Sequence, residues 1–211
     1  MTFREHLRPV KSSLRRASWA LIRSTRGVRP PVNADGRLLV HLGCGPINAP
    51  GYTNVDVKPF PHVHYAQDVY PLKFLRANSA DLVYASHVLE HFPFTKVPDI
   101  LREWRRVLKI GGILRLAVPN FRALFDIYAE TKDLRSILGP LMGGQSDPYN
   151  FHYCAYDRKS LTELLETAGF RHIRTWDPLL ADHHDFQDTS AMTWPSRDGR
   201  LPISLNIEAV K

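Results

Sequence analysis

RLLVHLGCGPINAPGYTNVD, residues 37–56, is the stretch from which the rest of the chain can be read. Its apolar run Leu38–Leu42 shows no alternation, as expected of a strand in a parallel sheet covered on both faces. The run leads straight into Gly43-Cys44-Gly45-Pro46. Glycines there let the backbone bend sharply and let a ligand approach main-chain N–H groups that a Cβ would shield. A second short strand, Tyr52–Val57, carries Asp56 near its end. An ionised carboxylate offers two acceptor oxygens, which suits the paired hydroxyls of a ribose. Strand, glycine turn, strand and acid predict a nucleoside site at the carboxyl end of a sheet.

The same stretch argues against a dinucleotide. The fingerprint G-x-G-x-x-G fails because Asn48 stands at the third glycine position. Only about eleven residues separate Gly45 from Asp56, against roughly twenty between glycines and acid in the dinucleotide pattern. Pro46–Gly51 contains two prolines and a glycine, leaving room for one helical turn at most. An NAD-dependent reductase is therefore disfavoured.

With 211 residues, 44% apolar and 23% charged, the chain is long enough for one domain with a substantial core and a short appendage. Its two cysteines, Cys44 and Cys154, are far apart and lack metal-ligand spacing, which fits a reducing cytoplasm. The ten histidines show no H-E-x-x-H pattern, so no metal site is expected. No run approaches the roughly eighteen apolar residues of a membrane span, and the N-terminus does not resemble a signal peptide.

Charge is concentrated at the start. Residues 1–36 hold eight Arg and Lys against Glu5 and Asp35, a net +6 of the chain's formal +7. The remainder is close to neutral, which speaks against a nucleic-acid-binding domain. Leu7, Val10, Leu14, Trp19, Leu21 and Ile22 recur at roughly helical spacing among the arginines. A basic amphipathic helix of this kind suits peripheral contact with an anionic membrane through residues 1–29. A helix packed on the domain and a partly disordered extension are the alternatives. Pro30-Pro31 and Asn33–Gly36 end this leader, giving a leader at 1–36 and a domain at 37–211.

Beyond Asp56, His62–Tyr65 reads as a short third strand, followed by Asp68, whose carboxylate suits an adenine amine or simply a turn. Ala80–Ala85 reads as a fourth strand delivering Ser86-His87-Val88-Leu89-Glu90-His91 to the same carboxyl edge. Ile100–Leu108 has a helical apolar stripe ending at Lys109 and Gly111-Gly112, and Ile113–Val118 reads as strand five. Phe121–Gly139 contains a helix, and Gly139–Asn150 a Gly- and Pro-rich loop suited to a lid. Asp157 is placed to cap a helix running to Gly169, Arg171–Trp176 reads as strand six, and Ile203–Val210 alternates as the last strand. The intervening Asp177–Leu201 reads as a loop.

Two runs, Asp81-Leu82-Val83-Tyr84-Ala85-Ser86-His87-Val88-Leu89-Glu90-His91 and Glu103–Arg115 (EWRRVLKIGGILR), resemble class I S-adenosylmethionine-dependent methyltransferases. More narrowly, the chain from Arg37 onward is similar to small bacterial members associated with surface-polysaccharide and lipopolysaccharide biosynthesis. Ile110 departs from the usual proline of that pattern, and the leader lies outside the resemblance. The resemblance implies an α/β, Rossmann-like three-layer sandwich with a seven-stranded, mostly parallel sheet whose last strand is antiparallel. It implies that Gly43, Cys44 and Gly45 face the methionine part of S-adenosyl-L-methionine and that Asp56 holds the ribose. Asp68 and Val69 would flank the adenine, and Ser86 and His87 would close the site. A methyl group would pass to an oxygen or nitrogen acceptor such as a sugar or glycan precursor. His91 and His152 are the candidate general bases, or else structural histidines, and alignment alone can suffice for so reactive a donor. The alternative is an inactive methyltransferase-like scaffold docked on the inner face of a membrane by its leader.

Overall fold

The computed structural model describes residues 31, 33, 35–197 and 199–211. The basic leader and its membrane contact therefore lie, apart from its last few positions, outside the described residues. No helix among the described residues is long and apolar enough to cross a membrane.

Seven strands form the main sheet: β1 (Leu39–Leu42), β2 (Tyr52–Asp56), β3 (Tyr65–Ala66), β4 (Ala80–Ser86), β5 (Leu108–Pro119), β6 (Arg171–Thr175) and β9 (Ser204–Val210). Their order is β3-β2-β1-β4-β5-β9-β6, and β9 alone runs against its neighbours, as the sequence predicts. The order reverses at β1, which lies between β2 and β4. That reversal opens a crevice at the carboxyl ends of the strands, where sheets of this kind bind ligands.

All of β1 and β2 is buried, which explains the missing alternation at Leu38–Leu42. One sheet face (Val40, Leu42, Val83, Leu114, Leu116) packs on helices α1 (Val97–Val107) and α4 (Arg158–Thr167) through Ile100, Leu101, Trp104, Leu161 and Leu165. Against the other face, where Leu39, Tyr52, Leu82 and Tyr84 lie, Trp176 and Phe186 pack. That third layer is made, among the described residues, by the irregular segment after β6. Asp157 caps α4 as expected, its carboxylate accepting from Ser160 N at 2.8 Å in a reciprocal capping box.

Several elements differ from expectation for local reasons. β3 is two residues long because His64 spends its imidazole on the neighbouring strand: Asn54 N donates to its Nδ1 at 2.9 Å. α1 stops at Val107, where Leu108 turns extended, so Gly111 and Gly112 lie in an irregularity near the start of β5 instead of capping the helix. Phe121–Gly139 is not one helix: α2 (Phe121–Thr131) ends where Lys132 turns left-handed at φ 55°, and α3 (Arg135–Met142) continues through Gly139 and Pro140. The stretch 177–201 holds a 3₁₀ turn at Thr189–Ala191 and the first part of a hairpin, β7 (Thr193–Ser196) with β8 (Gly199–Pro202). Helices α2 and α3 and this hairpin share a small apolar cluster, Leu124, Ile127, Ile137 and Ile203, beside the carboxyl end of β5.

Candidate active site

At the switch point lies a cavity of about 250 Å³. Seven of the ten residues singled out from the sequence line it: Gly43, Gly45, Asp56, Asp68, Val69, His87 and His91.

The glycine turn is shaped by its neighbours. Gly43 and Gly45 take left-handed φ values of 62° and 53°. A Cβ on Gly43 would come within 2.4 Å of Val88 Cγ2, whereas one on Gly45 would meet nothing within 4 Å and would project into free space. Gly43 is thus a packing glycine, and Gly45 leaves open the space a side chain would fill, while its own N–H and carbonyl are engaged by Asp56 and His62. Gly45 N donates to Asp56 Oδ2 and Lys58 N to Asp56 Oδ1, each at 2.7 Å. Two backbone donors fix the carboxylate while each oxygen keeps acceptor capacity toward the cavity. Asp56 is 7% exposed, so this orientation is held in a largely desolvated place.

On the opposite wall, Trp104 Nε1 donates to Val69 O at 3.0 Å and ties the Asp68-Val69 segment to α1. His87 follows β4 with φ 53°, an uncommon conformation for a residue with a side chain, held by His87 N donating to Ala117 O at 2.8 Å. Pro148 and Tyr149 close the mouth, and Lys58 Nζ pairs with Asp147 Oδ2 at 2.7 Å across it. The glycine-rich loop is therefore latched over the cavity, as a lid would be. Lys58, Phe60 and Tyr149 are lining residues that no sequence pattern announced.

Three of the ten do not line the cavity. Cys44 points into the core and engages β2 through its backbone N–H to Val55 O at 3.2 Å. Ser86 ends β4 half-buried. His152 stands behind His91, ring centroids 4.7 Å apart, with burial lowering its pKa from the usual imidazole range. Burial thus favours its neutral form, and of the two candidate bases it is His91 that lines the cavity.

Glu90 was not singled out from the sequence, yet it is fully buried at the centre of these histidines. Its Oε1 lies 3.3 Å from His87 Nδ1 and 3.9 Å from His152 Nε2. The spacing that could have found it is H-x-x-E-H over residues 87–91.

Comparison with known proteins gives the class of the chain. A family model of the methyltransferase domain matches residues 13–175, and the chain belongs to that family. No curated protein matches it. Among solved structures it is similar to an S-adenosylmethionine-dependent methyltransferase from Archaeoglobus fulgidus, at 18% identity and TM-score 0.53 over 92% of this chain and 93% of that one. Another from Methanosarcina mazei is 17% identical with TM-score 0.53, over 88% and 98% of the two chains. At such identities these likenesses establish the shared fold.

Proposed function

We propose that this chain moves a methyl group from S-adenosyl-L-methionine to an oxygen or nitrogen acceptor, with a sugar or glycan precursor as the acceptor class. One observation carries the cofactor reading: Asp56 is aimed, by two backbone N–H bonds, into a cavity that Gly45 leaves open. Gly45 would admit the methionine part, Asp56 would hold the ribose hydroxyls, and Asp68 and Val69 would flank the adenine. Cys44 would contribute through its backbone, and Ser86 by shaping the end of β4.

Bound there, the cofactor supplies a sulfonium-activated methyl group, which makes transfer intrinsically feasible. The chain's own task is alignment and exclusion of water, served by the latched lid. His91 Nδ1 donates to Phe151 O at 3.0 Å, since a carbonyl only accepts, which leaves a lone pair on Nε2 of the neutral ring. The sugar reading is supported by exposed Tyr149, Phe151 and Tyr153, whose rings offer faces for stacking.

Calorimetric titration of wild type and Asp56→Ala with S-adenosylmethionine, S-adenosylhomocysteine and NAD tests the proposal. Micromolar binding of the first two, weakened tenfold or more in the variant, is the expected outcome. A folded protein that binds none of them would turn the reading to an inactive scaffold.

A further inference from the structure

Four side chains around the acceptor end of the cavity have a donor pattern that methyl transfer alone does not require. Each of three histidines uses one ring nitrogen to donate to a protein oxygen. His91 Nδ1 donates to Phe151 O at 3.0 Å and His152 Nδ1 to Pro140 O at 2.9 Å. The Ser204 hydroxyl gives its proton to Thr189 O at 2.8 Å, so at 2.9 Å it must accept from His87 Nε2. The remaining nitrogens, His87 Nδ1, His91 Nε2 and His152 Nε2, therefore carry lone pairs when the rings are neutral.

Two of those nitrogens, His87 Nδ1 and His152 Nε2, lie 3.3 and 3.9 Å from a carboxylate oxygen, Glu90 Oε1. Glu90 is 0% exposed, and neither of its oxygens accepts a hydrogen bond. Donor atoms of Glu90, His91 and His152 all lie within 4.8 Å of one another, and His87 Nδ1 is 3.3 Å from Glu90 Oε1. A buried carboxylate with no hydrogen-bond partner is an expensive arrangement, and a cation held between it and the imidazole nitrogens removes the cost. Imidazoles whose far nitrogen is anchored to a backbone or side-chain oxygen are also the usual way proteins orient histidine ligands.

We propose that Glu90, His91 and His152, joined by His87, bind one divalent transition-metal ion at the acceptor end of the cofactor cavity. Three nitrogens and one carboxylate are a donor set for Zn²⁺, Fe²⁺ or Mn²⁺ and not for Ca²⁺. Ligand atoms around such an ion lie about 3.4 Å apart at bonds of ~2.1 Å, so the set contracts by about 1 Å on binding. His87 and His91 line the cavity while Glu90 and His152 do not, so a fifth coordination position, beyond the four protein donors, would open toward the cavity. A hydroxyl held there becomes more acidic and better oriented, which rests on the methyltransferase reading above. The lone pair of His91 then serves as a ligand and not as a general base.

The test uses tag-free, full-length protein stripped by a chelator. It is titrated with CoCl₂, ZnCl₂ and MnCl₂ by calorimetry and by cobalt visible absorption, and separately with S-adenosylhomocysteine. Wild type, Glu90→Gln, His152→Gln and Asp56→Ala are compared, with thermal melting as the check on folding. One metal per chain, bound tenfold or more weakly by Glu90→Gln and His152→Gln but normally by Asp56→Ala, is the expected result. Those two metal-site variants should still bind S-adenosylhomocysteine. Should either fail to fold, His91→Gln takes its place. Metal binding that is absent, or equal in all variants, overturns the proposal. Metal bound at Glu90 with no S-adenosylhomocysteine bound by wild type would instead sink the methyltransferase reading and leave the metal site standing.

Discussion

Asp56 shows how one side chain is made specific before any ligand arrives. Its charge attracts backbone donors on both sides, and those donors fix where the remaining lone pairs point. Burial adds consequences at other positions. His41 is wholly enclosed by Tyr52, Tyr84 and Phe186, and burial takes its pKa down to about 3. The unfolded chain protonates this ring below about pH 6.5, while the folded one resists until about pH 3. Stability from His41 is thus fully present above pH 6.5 and is lost as the pH falls toward 3. Urea midpoints at pH 7.5 and 4.5 should therefore fall less for His41→Phe than for wild type; an equal fall would refute this. Arg115 and Glu208, paired at 2.7 Å and about 5% exposed, face each other across β5 and β9. Glu208→Ala strands the guanidinium and should lower unfolding free energy by about 3–5 kcal/mol in denaturant melts. The roles proposed for Gly45 and Asp56 were legible because chemistry and chain geometry coincide within eleven residues. Glu90 was hidden although His87 and His91 flank it in sequence, because its third partner, His152, is distant and gains its meaning only where the chain returns to α3 and the 3₁₀ turn Leu89–His91.

At the scale of elements, the strands and α4 were readable because burial on both faces and a capping aspartate leave local traces. Breaks inside apparent helices were not. Lys132 turning left-handed gives no sequence signal, and Pro140 sits within α3 although it reads as a breaker. Hairpin β7–β8 was missed because its strands are mostly exposed and carry two prolines, Pro195 and Pro202. Asp157→Ala should cost about 1 kcal/mol by removing the α4 cap, read as a shifted urea midpoint with unchanged slope. The glycine-rich loop is tied to the cavity wall by a partly exposed pair, Lys58–Asp147. Such pairs stabilise by less than about 1 kcal/mol, so Lys58→Ala should barely move the melting temperature. It should nevertheless raise the dissociation constant for S-adenosylhomocysteine several-fold, seen mainly as faster release in stopped-flow kinetics. Unchanged release would mean that the loop does not gate the cavity.

The described residues form several cavities, and topology decides among them. A larger one, about 560 Å³, is lined by Leu39, Leu82, Arg115, Trp176 and Glu208, away from the glycine turn. Several of its polar groups are already engaged, as in the Arg115–Glu208 and Lys109–Asp81 pairs. The smaller one sits where strand order reverses and holds unengaged acceptor capacity at Asp56. Volume alone would favour another cavity; the switch point and the chemistry support the one of about 250 Å³. A crystal structure of the full chain grown with S-adenosylhomocysteine tests that choice most directly. The account predicts ribose hydroxyls on the Asp56 carboxylate, adenine beside Asp68 and Val69, and the homocysteine sulfur toward His87. Nucleoside in the larger cavity, or bound without contact to Asp56, would contradict it.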